Sequence, residues 1–216
     1  MTYFEFFPIS VSGLIVAFLL FVITESLKRP YLGFKIKEEP IFEKDIKDKK
    51  RKIRFINIEV SNKKLPWLVR YFGKTANNSR AFLSFRDPSS RKELLRLNAR
   101  WYTGKEPVDY IGQKVDVGLA LIPQREVIPP DEVGGVGVAI KFEGDEHFYA
   151  FTNESYLHND DWRPWGWVRY KLTKDHYLLC LEVKAEGHTY SQEFLLKNPS
   201  TTLDDFGLDY LKQNNC

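Results

Sequence analysis

YLLCLEVKAEGHTYSQEFLLK, residues 177–197, holds two apolar-rich runs, 177–185 and 189–197, on either side of Glu186-Gly187. Leucine, valine and aromatic residues fill the runs, and Glu-Gly is turn chemistry, so the stretch reads as strand, turn, strand. The same pattern recurs outward from it. YLGFKIK (31–37), KIRFINIEV (52–60), RAFLSFR (80–86) and LNARWY (97–102) alternate apolar with polar or small residues. VDVGLALI (115–122), GVGVAIKF (135–142), HFYAFT (147–152) and WGWVRYKL (165–172) bring the candidate strands to ten. Between them lie Ser61-Asn62, Asn77-Asn78, Asp87-Pro88, Pro129-Pro130-Asp131 and Asn198-Pro199, all turn signals. No long amphipathic helix interrupts the series, which argues against parallel βαβ units and for an antiparallel β-sandwich. Short helices are expected only at Arg91–Leu97 and in the tail, Leu203–Gln213. With no repeat and no Gly/Ser linker, residues 30–202 are predicted to form one β-sandwich domain, with 203–216 as a tail.

The N-terminal segment differs in kind. From Phe6 to Thr24 nineteen residues carry no charge, about 28 Å as a helix, close to the hydrocarbon thickness of a bilayer. Pro8 falls in the first turn, where a missing N–H is harmless. A cleaved secretory signal carries basic residues before its apolar run and a small-x-small site after it. Here no Lys or Arg precedes residue 28, and Thr24-Glu25-Ser26 is a poor site. The expectation is a permanent anchor, residues 1–29 with a span over about 6–24, making a single-pass membrane protein.

Lys28, Arg29, Lys35, Lys37 and Lys44 all follow the span. By the positive-inside rule the short N-terminus faces outward and the large domain is cytoplasmic. The formal charge of +3 divides unevenly: residues 28–54 hold eleven basic and five acidic residues, a net of +6, whereas 55–216 hold 21 and 22. A nearly neutral globular part excludes the basic face of a nucleic-acid binder. The basic flank, Lys28, Arg29, Lys35 and Lys37 foremost, is expected at the membrane surface, where anionic lipid attracts it. Two cysteines, Cys180 and Cys216, do not amount to a disulfide framework, in agreement with a cytoplasmic domain. The sequons at Asn77 and Asn153 are short patterns that arise by chance.

RFINIEVSNKK (54–64), SRAFLSFRD (79–87), NARWY (98–102) and LIPQREVIPPDE (121–132), with YLLCLEVKAEG and QEFLLKNP, carry a resemblance. The chain resembles uncharacterised prokaryotic proteins with an N-terminal membrane helix and an immunoglobulin-like sandwich. What the resemblance implies is a fold and a means of anchoring, with no activity attached. The Cys pair and Trp spacing of antibody domains are missing.

Motifs that suggest chemistry are incomplete. DEVGGVGVAI (131–140) has glycines at 134, 135 and 137, but it enters a strand and lacks the third glycine of a dinucleotide loop, so a turn or bulge is expected. HNDD (158–161) is a polar turn without a second ligand cluster. His147, His176 and His188 match no zinc spacing, and no G-x-S-x-G elbow occurs. The reading is therefore non-catalytic, with no cofactor and no metal. The most distinctive stretch is DWRPWGWVRY (161–170): either one face of it packs in the sandwich core with an arginine stacked on an aromatic, or Trp162, Arg163, Trp165 and Arg169 form a candidate binding patch, with Trp167 assigned to the core. The function expected is a binding, scaffold or sensor module at the cytoplasmic membrane face, with the lipid bilayer and a protein as partners. The alternatives are an extracytoplasmic ligand- or glycan-binding domain, or a membrane-tethered hydrolase.

Overall fold

A computed structural model describes residues 6–27, 29–46, 49–63, 73–109, 114–156 and 170–211. The chain begins with helix α1 (Phe6–Leu27), followed by β1 (Leu32–Glu38), β2 (Phe42–Ile46) and β3 (Lys49–Asn62). Next come β4 (Ala76–Arg86), β5 (Glu93–Asn98), β6 (Arg100–Trp101), β7 (Val108–Asp109) and β8 (Lys114–Val115). A short helix α2 (Val117–Leu121) leads to β9 (Glu126–Ile128), β10 (Val133–Phe142) and β11 (Phe148–Ala150). The chain ends with β12 (Lys171–Leu172), β13 (His176–Ala185), β14 (His188–Lys197) and β15 (Gly207–Tyr210).

The strands build two antiparallel sheets. One runs β1-β3-β10-β11-β12, with β2 also on β3 and β6 on β10; the other runs β15-β14-β13-β4-β5, with β9 on β4. Residues 177–197 form a hairpin, β13 with β14, paired from His176↔Lys197 to Ala185↔His188. Its turn has positive φ at both Glu186 (50°) and Gly187 (76°), the backbone whose twist matches the flanking strands and which glycine adopts without strain. Lys74 Nζ lies 3.2 Å from the Glu186 carboxylate, so the non-glycine residue is tied down from outside the hairpin.

Period-two alternation sends Leu83 and Phe85 of β4, Leu179, Leu181 and Val183 of β13, and Phe194 and Leu196 of β14 into one core. Facing them are Ile56, Ile58 and Val60 of β3, Val136 and Val138 of β10, and Trp101. The glycine-rich run shifts register between Gly137 and Ala139. That bulge reverses the parity of β10. Even-numbered Val136 and Val138 face the main core, whereas even-numbered Ile140 and Phe142 join Ile53, Phe151 and Tyr156 in a second cluster on the outer side of the sheet. At the edge of the sandwich the Ile36 amide donates to the Tyr210 hydroxyl (2.8 Å), joining β1 to β15 of the opposite sheet.

Three local expectations are corrected. VDVGLALI is not a strand beyond Val115: Asp116 caps α2, its side chain accepting from the Leu119 amide (3.1 Å), and Ala120 N–H donates to the Asp116 carbonyl. Arg91–Leu97 is not a helix. Asp87 Oδ1 accepts from the Ser89 and Ser90 amides, Arg91 takes φ 57°, and this tight turn returns the chain as β5 against β4. The tail carries a strand rather than a helix, β15 pairing with β14 from Phe194↔Tyr210 to Lys197↔Gly207. Among the described residues no helix is long and apolar enough to cross a membrane. Side chains of α1 are described from Gly13 to Ile23, and every one of them is exposed.

Three carboxyls that organise turns are held below their ordinary range. A hydrogen bond from Lys174 does this for Asp87, one from Lys74 for Glu186, and those from Ser200 and Thr202 for Asp205. The folded form thus binds fewer protons than the unfolded one, so this stabilisation is complete above the ordinary carboxyl pKa of about 4 and is lost as pH falls below it. The melting temperature is expected to drop on acidification from pH 7 to about 3. Asp87→Asn should lower it at pH 7 and flatten the drop; an unchanged slope in that variant would refute the assignment.

Candidate functional site

Two places in the described structure gather polar groups from several elements. The first is the pole where α1 leaves the sandwich. Asn62, at the end of β3, is 2% exposed and each of its polar groups is engaged. Its Oδ1 accepts from the Tyr31 amide (3.1 Å), and its Nδ2 donates to the carbonyls of Lys74 (2.8 Å) and Ile128 (2.9 Å). Its amide donates to the Glu132 carbonyl and its own carbonyl accepts from the Asp131 amide. One buried asparagine therefore clasps the α1 exit, the approach to β4 and the turn before β10. The exit is pinned twice more: Tyr190 Oη donates to the Pro30 carbonyl (2.5 Å), and Lys63 N–H to the Tyr31 carbonyl (2.8 Å). Ser61-Asn62 reads in the sequence as a turn signal, but a hub needs partners 31 and 66 residues away, and no local pattern encodes them.

The second lies on the outer face of the β1-β3-β10 sheet. Lys37, Asn57 and Gly137 align across three strands. Lys37 Nζ is 3.0 Å from the Glu39 carboxylate, 3.3 Å from the Tyr102 hydroxyl and 4.8 Å from that ring's centroid. The Glu39 contact, foremost, raises the Lys37 pKa. Asn57 Nδ2 donates to Glu39 (3.1 Å), while its buried Oδ1 has no partner among the described residues. The Tyr102 and Phe151 rings lie on the backbone of Gly135 and Gly137, where a Cβ would meet ring carbons at 1.7 and 2.5 Å. The glycines thus serve close packing of aromatics on a strand, as the expected bulge does, and not a phosphate. Nearby, buried Arg100 donates to Tyr156 Oη (2.8 Å) and Glu106 (2.9 Å), with its guanidinium about 5 Å from the Phe151 ring centre.

Of the residues singled out from sequence, Trp162, Arg163, Trp165, Trp167, Arg169 and Lys28 lie outside the described residues, as do His158 to Asp161. Arg29 is exposed at the α1 exit and Lys35 is exposed on β1. Lys37 is drawn into the ion pair with Glu39 and is not a free surface cation. The rest of the basic excess lies elsewhere than expected. Leu32 pairs with Asn62 at one end of β3, while Lys50, Arg51, Lys52 and Arg54 occupy its other end. Fourteen residues of β3 separate the extremes by about 43 Å at 3.3 Å per step. There Arg51 pairs with Asp145 (2.8 Å) and Arg54 donates to the Leu203 carbonyl (2.8 Å).

His176 and His188 stand at opposite ends of their hairpin, and among the described residues no group of His, Cys, Asp and Glu could hold a metal. Asn153 is buried, its Nδ2 donating to the Leu119 carbonyl (3.3 Å), which closes that sequon to a glycan in the folded domain. Beside it Asn98, Gln124 and Thr152 help line a cavity of about 10 Å³, room for one water.

Although two cysteines are no disulfide framework, Cys180 is disulfide-bonded. It occupies the outward side of β13, in register with Ser84 and Glu193. Glu193 is fully buried, gripped by Arg91 through both carboxylate oxygens (2.5 and 2.6 Å). The sequence holds one other cysteine, Cys216, outside the described residues. No protein-family model, curated protein or solved structure matches this chain.

Proposed function

We propose that the protein is a single-pass, membrane-anchored binding module without catalytic activity, its sandwich serving as a scaffold or sensor. The immunoglobulin-like description is kept in this reading only as two stacked antiparallel sheets. One observation carries the proposal. Leu14, Ile15, Val16, Phe18, Leu19, Leu20, Phe21, Val22 and Ile23 are all exposed, from 42% to 71%, covering more than two turns and hence every face of the helix. A helix that packs on its own domain hides one stripe; an apolar helix exposed all round requires a non-aqueous surrounding. Counted with the residues whose side chains are not described, α1 has 22 residues, about 33 Å at 1.5 Å per residue, comparable to a hydrocarbon core, and an uncharged run from Phe6 to Thr24. The partners in this reading are the bilayer and a protein.

Orientation has two readings, each with its own support. The absence of Lys and Arg before residue 28 and their abundance after it favour a cytoplasmic sandwich. The Cys180 disulfide favours the extracytoplasmic side, because reducing cytosol keeps such thiols apart. Paired fusions after Cys216 decide between them. A cytoplasmic domain gives a fluorescent green-fluorescent-protein fusion and an inactive alkaline phosphatase fusion; the reverse pattern establishes the extracytoplasmic binding domain.

A further inference from the structure

We propose that the pole of the sandwich from which α1 leaves is itself a bilayer-docking surface, with Tyr31, Val127 and Val133 at headgroup level. The inference rests on α1 being the anchor, and the tether makes the first argument. Pro30 is buried and its carbonyl held by Tyr190; Tyr31 is held by Asn62 and Lys63. Only two residues separate Leu27, the end of the helix, from this pinned pair. At about 3.5 Å per residue the three steps from Leu27 to Pro30 reach about 11 Å at most. The pole therefore cannot leave the interfacial layer of the membrane that holds α1.

Its surface suits that layer. Tyr31, Val127 and Val133 are 58%, 54% and 50% exposed. The Asn62 clasp brings them together: Asn62 bonds Tyr31, Ile128 and Glu132, and Val133 pairs with Ser61. Lys63 Nζ sits 5.7 Å from the centre of the Tyr31 ring, so an aromatic and an ammonium share one spot, the pairing that membrane interfaces select. Charge does not provide the recognition. Among the described residues of this pole Arg29, Lys63 and Lys74 are matched by Asp131, Glu132 and Glu186, and Lys74 is already paired with Glu186. The basic hairpin of β2 and β3 points away, its end about 43 Å along β3, several Debye lengths of about 8 Å. The partner is an apolar-aromatic contact with any phospholipid bilayer, not an anionic-lipid site.

The full chain reconstituted into phosphatidylcholine vesicles containing a headgroup-level photoreactive phosphatidylcholine tests this. Crosslinks are expected on the peptides holding Tyr31–Lys35 and Val127–Val133, at least fivefold above those on the peptide holding Arg51–Arg54. Replacing a third of the lipid by phosphatidylserine should change the yield less than twofold. Val127→Glu with Val133→Glu, both at exposed positions, should cut the pole yield at least threefold while the protein still floats with vesicles. Crosslinks confined to α1, equal yields at pole and hairpin, or a yield that needs phosphatidylserine would each overturn the docking surface. Failure of the unmodified chain to float overturns the anchor, and the docking proposal with it.

Discussion

Val16→Arg combined with Leu19→Arg should transfer the protein from the alkaline-washed membrane fraction to the supernatant. Both positions lie near the middle of α1 and both side chains are exposed, 55% and 52%. By insertion scales an arginine at a helix centre costs about 2.5–3.5 kcal/mol. Two therefore cost about 5–7 kcal/mol, four to five powers of ten in partitioning. Because those side chains pack on no described part of the sandwich core, the domain's own melting transition should stay within about a degree. A variant that remains in the washed pellet while keeping that transition would mean that something other than α1 holds the protein there. A variant that leaves the pellet with a lowered transition would place α1 in contact with the domain, against the exposure of its side chains.

The elements that the chain announces are those whose cause is local. Alternation in RFINIEV, RAFLSFR and YLLCLEV produces strands because each run is half buried along its whole length, so the pattern and the environment share a period. Glu186-Gly187 gives its turn because two successive positive φ values need a residue like glycine. VDVGLALI misleads because valine and leucine suit both states; the deciding residue is Asp116, whose side chain satisfies a helix amide. Arg91–Leu97 misleads for the opposite reason: good helix formers are overruled by the Asp87 turn before them and by pairing with β4. The basic flank shows a third kind of limit. A run of charge adjacent to an anchor in sequence is adjacent in space only if the chain stays there, and β1 and β3 carry most of it to the far pole. The Asn62 clasp is beyond any local reading, since it depends on which distant segments the sheet register brings together. The proposed anchor rests on plain length of apolar run, and the proposed docking pole on the shortness of the link to β1.

Trp101→Ala is expected to cost the sandwich about 3–5 kcal/mol, a large part of the 5–15 kcal/mol that holds a domain of this kind together. Trp101 is 0% exposed and belongs to the main core. Its position in the topology makes it more than a large side chain. β5 lies in one sheet and β6 in the other, so the chain crosses between sheets at Asn98–Arg100, and Trp101 lands opposite Val136. Its backbone amide donates to Gln124 Oε1 (2.9 Å), and its ring lies on Gly134, where a Cβ would come within 3.0 Å of it. Removing the indole opens a void between both sheets that the paired strands cannot close by relaxing. Phenylalanine at the same place should cost far less, about 1–2 kcal/mol. The reason lies in the indole N–H: among the described residues it is buried without a partner, an arrangement that costs about 1–3 kcal/mol and that phenylalanine relieves while leaving a smaller cavity. Denaturant unfolding followed by circular dichroism distinguishes the two variants. If Trp101→Phe is as damaging as Trp101→Ala, the N–H has a partner in solution and the ring's volume is not what matters. If Trp101→Ala loses less than about 1 kcal/mol, the crossing between sheets does not depend on it.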